Sequence, residues 1–229
     1  MGNLQKETGL GIFPPTANPV KAKMLLALAT VENLTISQAD ISNAFVNAKL
    51  PPKVYVSLPK EMGGGSYRLN RALYGLRESP REWSDEVGGY LMNELNYTRS
   101  KYDPCYFWKE LPNGRLLRIL LYVDDFIFVG EEDDVLKERD IVLEKYKGRK
   151  IEPLVENGTE FFNFLGIEIS RNRKNRETRM SQPKMVERVL DRFRMAECKK
   201  AITPMVDPIT RPRQKKSGGG TKKGKNKRK

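Results

Sequence analysis

Apolar and polar positions alternate along this chain with two different periods. Residues 21–29 are apolar apart from Lys21 and Lys23 and predict a short buried helix. Residues 34–40 alternate like a strand and end on a carboxylate, Asp40, with 41–46 following as a turn or short helix. Residues 54–58 and 67–73 predict two further strands on either side of the turn Gly63-Gly64-Gly65. At Ser79-Pro80 the period lengthens. Trp83, Val87, Tyr90, Leu91 and Leu95 recur at helical spacing, with proline in the first turn, and predict a helix to about residue 95 with Trp83 in the core. Residues 105–108 and 116–123 predict strands around Pro112-Asn113-Gly114, and 126–129 a third. The acids Glu131, Glu132, Asp133 and Asp134 then open a helix over 133–146, where negative charge favours the positive end of the helix dipole. Residues 161–169 read as a strand, and 181–195 as a last helix with Met185, Val189, Leu190 and Phe193 on one face. Strands and helices alternate irregularly, without an internal repeat, so the predicted class is α+β. Residues 1–19, with Gly9, Gly11, Pro14, Pro15 and Pro19, predict an irregular lead-in.

Composition narrows the chemistry. The 229 residues allow one large domain or two small ones. Their 42 Lys and Arg against 29 Asp and Glu give a net charge of +13, but ten of those cations lie in residues 211–229, which hold no acid, so the rest carries only +3. That tail is low in complexity and predicted to be disordered. It suits sequence-independent, salt-sensitive nucleic-acid binding or nuclear import. The chain has no histidine, which excludes a Ser-His or Cys-His dyad, a His-ligated zinc and an imidazole base. Two cysteines, Cys105 and Cys198, form neither a disulfide framework nor a Cys₄ zinc site. No apolar run approaches the roughly 20 residues of a membrane span. The start Met1-Gly2-Asn3 lacks the features of a secretory signal, and Lys6 stands where a myristoylation motif needs Ser or Thr. A soluble intracellular protein, in the cytoplasm (a virus-like particle) or the nucleus, is the expectation.

The sharpest local feature lies at residues 120–130, where Asp124-Asp125 interrupts two strand-forming apolar runs. The acids either sit on the solvated tip of a hairpin or share a hard cation such as Mg²⁺. Two-metal chemistry needs a further acid, and Asp40, at the end of another predicted strand, is the candidate. On its own Asp40 reads equally as a helix N-cap. Gly219–Lys225 spells G-x-x-x-x-G-K but lacks the following Ser or Thr and a preceding strand, so it is no phosphate loop.

Five segments occur in order: Asp40-Ile-Ser-Asn-Ala-Phe45, Leu73-Tyr-Gly-Leu-Arg-Glu-Ser-Pro80-Arg-Glu-Trp83, Tyr102-Asp-Pro-Cys-Tyr106, Leu121-Tyr-Val-Asp-Asp125 and Phe164-Leu-Gly-Ile-Glu-Ile169. Together, with Ser181-Gln182 and Thr203-Pro204-Met205 beyond them, they resemble the reverse transcriptase domain of copia-type LTR retrotransposons, from about Phe13 to Met205. The resemblance implies a right-hand polymerase palm over residues 20–180 with partial fingers, a thumb-like helix and extension at 181–210, and the basic tail at 211–229. It implies that Asp40, Asp124 and Asp125 are catalytic and hold two Mg²⁺ ions, for which Mn²⁺ can substitute, with Ile41 in the same metal-binding set. Ala44, Phe45, Tyr74 and Gly75 would line the dNTP site. Phe45 is then the ring under the incoming sugar that excludes a 2′-hydroxyl, although a core aromatic is the competing reading. Tyr122, Val123, Arg77 and Arg81 would face nucleic acid, and Phe164, Leu165 and Gly166 resemble the hairpin that grips the primer end, although a buried strand explains them as well. In the last helix Lys184, Arg188 and Arg192 form a basic stripe for template–primer phosphates, or else a solvated face paired with Glu187 and Asp191.

Implied partners are an RNA or DNA template–primer, dNTPs and the other polyprotein domains, integrase and ribonuclease H. The family's basic fingers residues, which grip the triphosphate, have no matching pair ahead of Asp40, so the resemblance is to an N-terminally truncated domain. Two functions therefore stand side by side: an RNA-directed DNA polymerase, and a catalytically incomplete relic that binds nucleic acid without polymerising. A metal-dependent nuclease on another fold would leave Tyr74-Gly75 and the Phe164 segment unexplained.

Overall fold

A computed structural model describes residues 18–50 and 54–198. Helix α1 (Pro19–Val31) starts at Asn18, whose side-chain oxygen accepts the Val20 N–H at 2.9 Å, and Pro19 takes the first turn. Pro19 therefore belongs to the helix and not to the expected lead-in; an N-cap followed by proline is a start signal. The helix buries Ala22, Leu25, Leu26 and Ala29, which share one face.

The main sheet has six antiparallel strands. In spatial order they are β4 (Thr98–Arg99), β5 (Tyr106–Glu110), β6 (Leu116–Tyr122), β7 (Asp125–Gly130), β1 (Thr35–Ile41) and β8 (Gly148–Ile151). Strand β1 thus lies between the β6–β7 hairpin and β8. Helices α3 (Ser79–Asn93) and α4 (Glu132–Lys145) cover one face, in a core that includes Trp83, Val87, Phe107, Phe126, Phe128 and Val142. On the other face α1 and the second sheet meet Leu120, Ile127 and Val129. Successive β7 side chains alternate between these two cores, which is why the strand is apolar at every position from Phe126 to Val129.

The second sheet runs β12 (Glu177–Ser181), β11 (Ile167–Asn172), β10 (Thr159–Phe164) and β9 (Leu154–Glu156), again antiparallel. The expected single strand over 161–169 is in fact two strands. Phe164 pairs with Ile167 across the loop Leu165-Gly166, whose φ values of 52° and 75° are both left-handed, as a two-residue hairpin turn requires. This sheet is fastened to the α1–β1 corner by polar contacts. Arg171 donates to the carbonyls of Ala29 and Leu34 at 2.9 and 2.6 Å, and the Gln38 amide donates to the Asn163 carbonyl at 3.0 Å.

Between β1 and α3 lie the short helix α2 (Ala44–Asn47) and a ribbon of β2 (Tyr55–Ser57) and β3 (Ser66–Arg68). The strand expected over 67–73 stops at Arg68, because its partner β2 is only three residues long. The chain then returns to α2 through an Ala72 N–H to Ala48 carbonyl bond.

The chain divides into two compact units, Met1–Pro183 and Lys184–Lys229. In the second, helix α5 (Pro183–Arg192) buries none of its residues. Among the described residues no helix is long and apolar enough to cross a membrane. Helices, two sheets and a ribbon agree with the α+β class. The expectations for residues 1–17, for the extension over 199–210 with Thr203-Pro204-Met205, and for the tail at 211–229 lie outside the described residues.

Candidate active site

The β6–β7 hairpin closes with Tyr122 paired to Asp125, leaving Val123-Asp124 as its two-residue loop. Val123 has φ 58°, a conformation that costs a β-branched residue about 1–3 kcal/mol. Two hydrogen bonds hold it there. The Trp83 indole N–H donates to the Val123 carbonyl at 2.5 Å, and the Ile41 N–H donates to the Asp124 carbonyl at 2.9 Å. The loop is therefore tied both to α3 and to the end of β1.

Strand register sets the carboxylates beside each other. Asp40 is the cross-strand partner of Asp125 on one side and of Arg149 on the other, so all three side chains stand on one face of the sheet. The Arg149 Nε donates to Asp40 Oδ2 at 2.7 Å. The Tyr74 hydroxyl lies 3.4 Å from Asp124 Oδ2, to which it donates. Burial first, then the charges of Asp124 and Asp40, push the Asp125 carboxyl up to about 6, against a smaller opposing pull from Arg149. Burial and the same two carboxylates raise the Tyr74 phenol.

The residues singled out by sequence fall into three groups. Around the carboxylates stand Tyr122, Val123, Tyr74 and Phe45. The Phe45 ring is 4.3 Å from that of Tyr74, so Phe45, Tyr74 and Asp124 form a continuous wall. Phe45 is itself buried at 6% exposure, within the core shared with Trp83 and Phe126. Gly75, with φ 94°, continues the loop beyond Tyr74. Ile41 and Ala44 are buried, and Ile41 reaches the site through its backbone.

A second group sits elsewhere in the first unit. Arg81 pairs with Asp85 along α3 at 3.6 Å, and Arg77 precedes that helix. Phe164 is buried in the second core, leaving Leu165 and Gly166 at the hairpin turn. The third group, Lys184, Arg188 and Arg192, lies on α5. Among the described residues no ion pair joins this stripe to Glu187 or Asp191.

Arg149, the Trp83 N–H and Gly148 escaped the sequence reading. A buried tryptophan needs a partner for its N–H, which was the signal for the second. For Arg149 the signal was only its place in a basic run with Lys145, Lys147 and Lys150.

Among the described residues no three His, Cys, Asp or Glu side chains form a ready-made metal cage. The donor chemistry nonetheless fits a hard divalent cation: two cross-strand carboxylates and a third at the adjoining turn, close enough for the charges of Asp40 and Asp124 to raise the Asp125 carboxyl.

The family described as reverse transcriptase (RNA-dependent DNA polymerase) matches residues 4–207. The chain is 30% identical over 200 residues to the retrovirus-related Pol polyprotein from transposon TNT 1-94 of Nicotiana tabacum, covering 85% of this chain and 14% of that protein. It is 30% identical over 200 residues to the corresponding polyprotein of transposon RE2 of Arabidopsis thaliana, covering 84% and 13%. Over 151 residues it is 30% identical to the transposon Ty1-NL2 Gag-Pol polyprotein of Saccharomyces cerevisiae, covering 65% and 8%. The chain thus spans 14% or less of the length of these curated relatives. With copia-type Pol polyproteins on every side, this chain belongs to the reverse transcriptase (RNA-dependent DNA polymerase) family.

Proposed function

We propose that this domain is the palm, with parts of fingers and thumb, of a copia-type RNA-directed DNA polymerase that adds dNTPs to a primer on an RNA or DNA template. The observation that carries the reading is the register of Asp40 against Asp125, with Asp124 at the adjoining turn. Asp40, Asp124 and Asp125 would hold two Mg²⁺ ions, or Mn²⁺ in their place. Metal held there would supply a lowered pKa at the primer 3′-hydroxyl and positive charge against the triphosphate and the departing pyrophosphate. Side chains are then asked for little acid–base work, in keeping with a chain that has no histidine.

The rest of the site binds and excludes. The Phe45–Tyr74 wall closes the space beside the sugar and disfavours a 2′-hydroxyl, and Tyr74-Gly75 covers the nascent base pair. Arg77 and Arg81 meet phosphates, the Leu165-Gly166 turn meets the primer end, and the α5 stripe of Lys184, Arg188 and Arg192 meets template–primer phosphates in a salt-dependent way. The domain acts inside the cell as part of a polyprotein that also carries integrase and ribonuclease H.

Primer extension on an RNA template with dNTPs and Mg²⁺, then Mn²⁺, tests this. Extension that Asp124→Asn reduces at least about a hundredfold is expected, since that substitution removes one of the anionic ligands that would hold the ions at the reacting phosphates. No extension, with salt-sensitive template binding retained, would overturn it in favour of the relic that binds without polymerising.

A further inference from the structure

We propose that Arg149 is a positioning residue of the carboxylate site: an internal counter-cation that holds Asp40 while no metal is bound and that an entering divalent cation displaces. The inference rests on Asp40 being a metal ligand, as proposed above.

Three observations carry it. Register first: Arg149 lies directly across from Asp40 on β8, and Asp125 lies directly across on β7, so the guanidinium and the second carboxylate flank Asp40 at one level on one face. Contact second: the pair is made through Nε to Oδ2 at 2.7 Å, a charge-assisted bond. Exposure third: the Arg149 side chain is 75% exposed while that of Asp40 is 21% exposed. An exposed arginine has open solvent into which to swing, so the pair yields without disturbing the core.

A divalent ion brings twice the charge of a guanidinium to the same carboxylate, and the two cations cannot share Asp40 without repelling each other. Removing the guanidinium therefore tightens metal binding. Lys150, one residue along β8, projects to the opposite face and pairs with Asp140 at 2.9 Å, so it supplies a matched charge that does not touch the site.

The experiment is a Mn²⁺ titration of the full chain at low ionic strength, followed by the electron paramagnetic resonance of free Mn²⁺, without nucleotide or template. Arg149→Gln is expected to bind Mn²⁺ about tenfold more tightly than the parent, Arg149→Lys close to the parent, and Lys150→Gln the same as the parent. In the parent, the Arg149 Nε–H resonance, identified by its loss in Arg149→Gln, is expected to shift as Mg²⁺ saturates. Equal or weaker Mn²⁺ binding by Arg149→Gln, an equal gain in Lys150→Gln, or an unmoved Nε–H resonance would overturn the inference while leaving the metal site standing. Parent protein that binds no Mn²⁺, or binds it unchanged after Asp125→Asn, would overturn the metal-site reading and this inference with it.

Discussion

The indole N–H of Trp83 donates to the carbonyl of Val123, joining the core of α3 to the one strained residue in the loop that presents Asp124. Trp83 is 1% exposed and also packs edge-on against Tyr146 at 5.0 Å. Its ring contributes apolar burial, whereas its single polar atom fixes the backbone of the carboxylate turn. A large core side chain thereby transmits the position of a helix to the candidate chemistry.

Trp83→Phe separates these two roles. Phenylalanine keeps most of the buried area but leaves the Val123 carbonyl unpaired, so a loss of about 1–3 kcal/mol in unfolding free energy is expected from urea denaturation. The expected loss of primer extension is larger than that stability change accounts for at a temperature where the variant is fully folded. An unchanged extension rate in a folded variant would show that the loop keeps its geometry without this bond.

The carboxylate site should make the metal-free protein less stable at neutral pH. The Asp125 carboxyl is raised from 3.8 to about 6, so between those values the folded state holds a proton that the unfolded state has released. The stabilisation present below pH 4 is therefore lost as pH rises through about 6. Asp125→Asn carries no charge to repel Asp40 and Asp124. In EDTA at pH 7 it should exceed the parent by about 1–2 kcal/mol, less than the full shift implies because the group is partly solvated. The two should converge near pH 4. Thermal melts at several pH values check this, and added Mg²⁺ should raise the melting temperature of the parent more than that of the variant.

Strands β1, β5, β6 and β7 were legible because each is buried on at least one side, and the acid at the end of β1 and the pair after β6 stood out against apolar runs. The strands that escaped, β4, β8, β9 and β12, are the four edges of the two sheets. An edge strand with solvent-facing side chains is paired through its backbone, and sequences such as Gly148-Arg-Lys-Ile carry no apolar period to reveal it. Arg149 was hidden for that reason, since its place opposite Asp40 exists only once β8 has a register. The break in 161–169 was masked by Leu165, an apolar residue at a left-handed position where Asn or Gly is the usual sign. The ordered motifs joined these acids into one candidate set, whereas the Trp83 and Ile41 bonds at the Val123-Asp124 turn depend on tertiary packing.

Gly148 sets how closely β8 can approach β1. A Cβ there would collide with the Asp40 carbonyl oxygen, and would come within 2.9 Å of Leu143 Cδ2 and 3.1 Å of Ile41 Cα. Two of these three neighbours are backbone of the strand that carries Asp40, which cannot yield cheaply. Gly148→Ala should therefore cost about 1–3 kcal/mol and push β8 outward, taking Arg149 away from Asp40. Its urea midpoint and the Arg149 Nε–H resonance report the two effects separately. A parent-like midpoint would show that the strands can part without loss.

Arg171 links the second sheet to the α1–β1 corner that leads into the strand bearing Asp40. It is 1% exposed, donates to the carbonyls of Ala29 and Leu34, and lies 3.6 Å from Glu160 Oε2. Burial lowers the pKa of the guanidinium, and the Glu160 charge opposes that shift. Arg171→Met keeps an unbranched stem of similar length but removes the donor to the Leu34 carbonyl and the cation beside Glu160, while the Ala29 carbonyl keeps the Leu34 N–H, so a loss of about 3–5 kcal/mol is expected. Adding Glu160→Gln should recover part of it, because the uncompensated charge goes while the Leu34 carbonyl still lacks its donor. A double-mutant cycle by chemical denaturation measures that coupling. If the second sheet works only when docked on the α1–β1 corner, the single variant should also weaken primer binding more than dNTP binding, since the Leu165-Gly166 turn moves with that sheet while Asp40, Asp124 and Asp125 stay on the other.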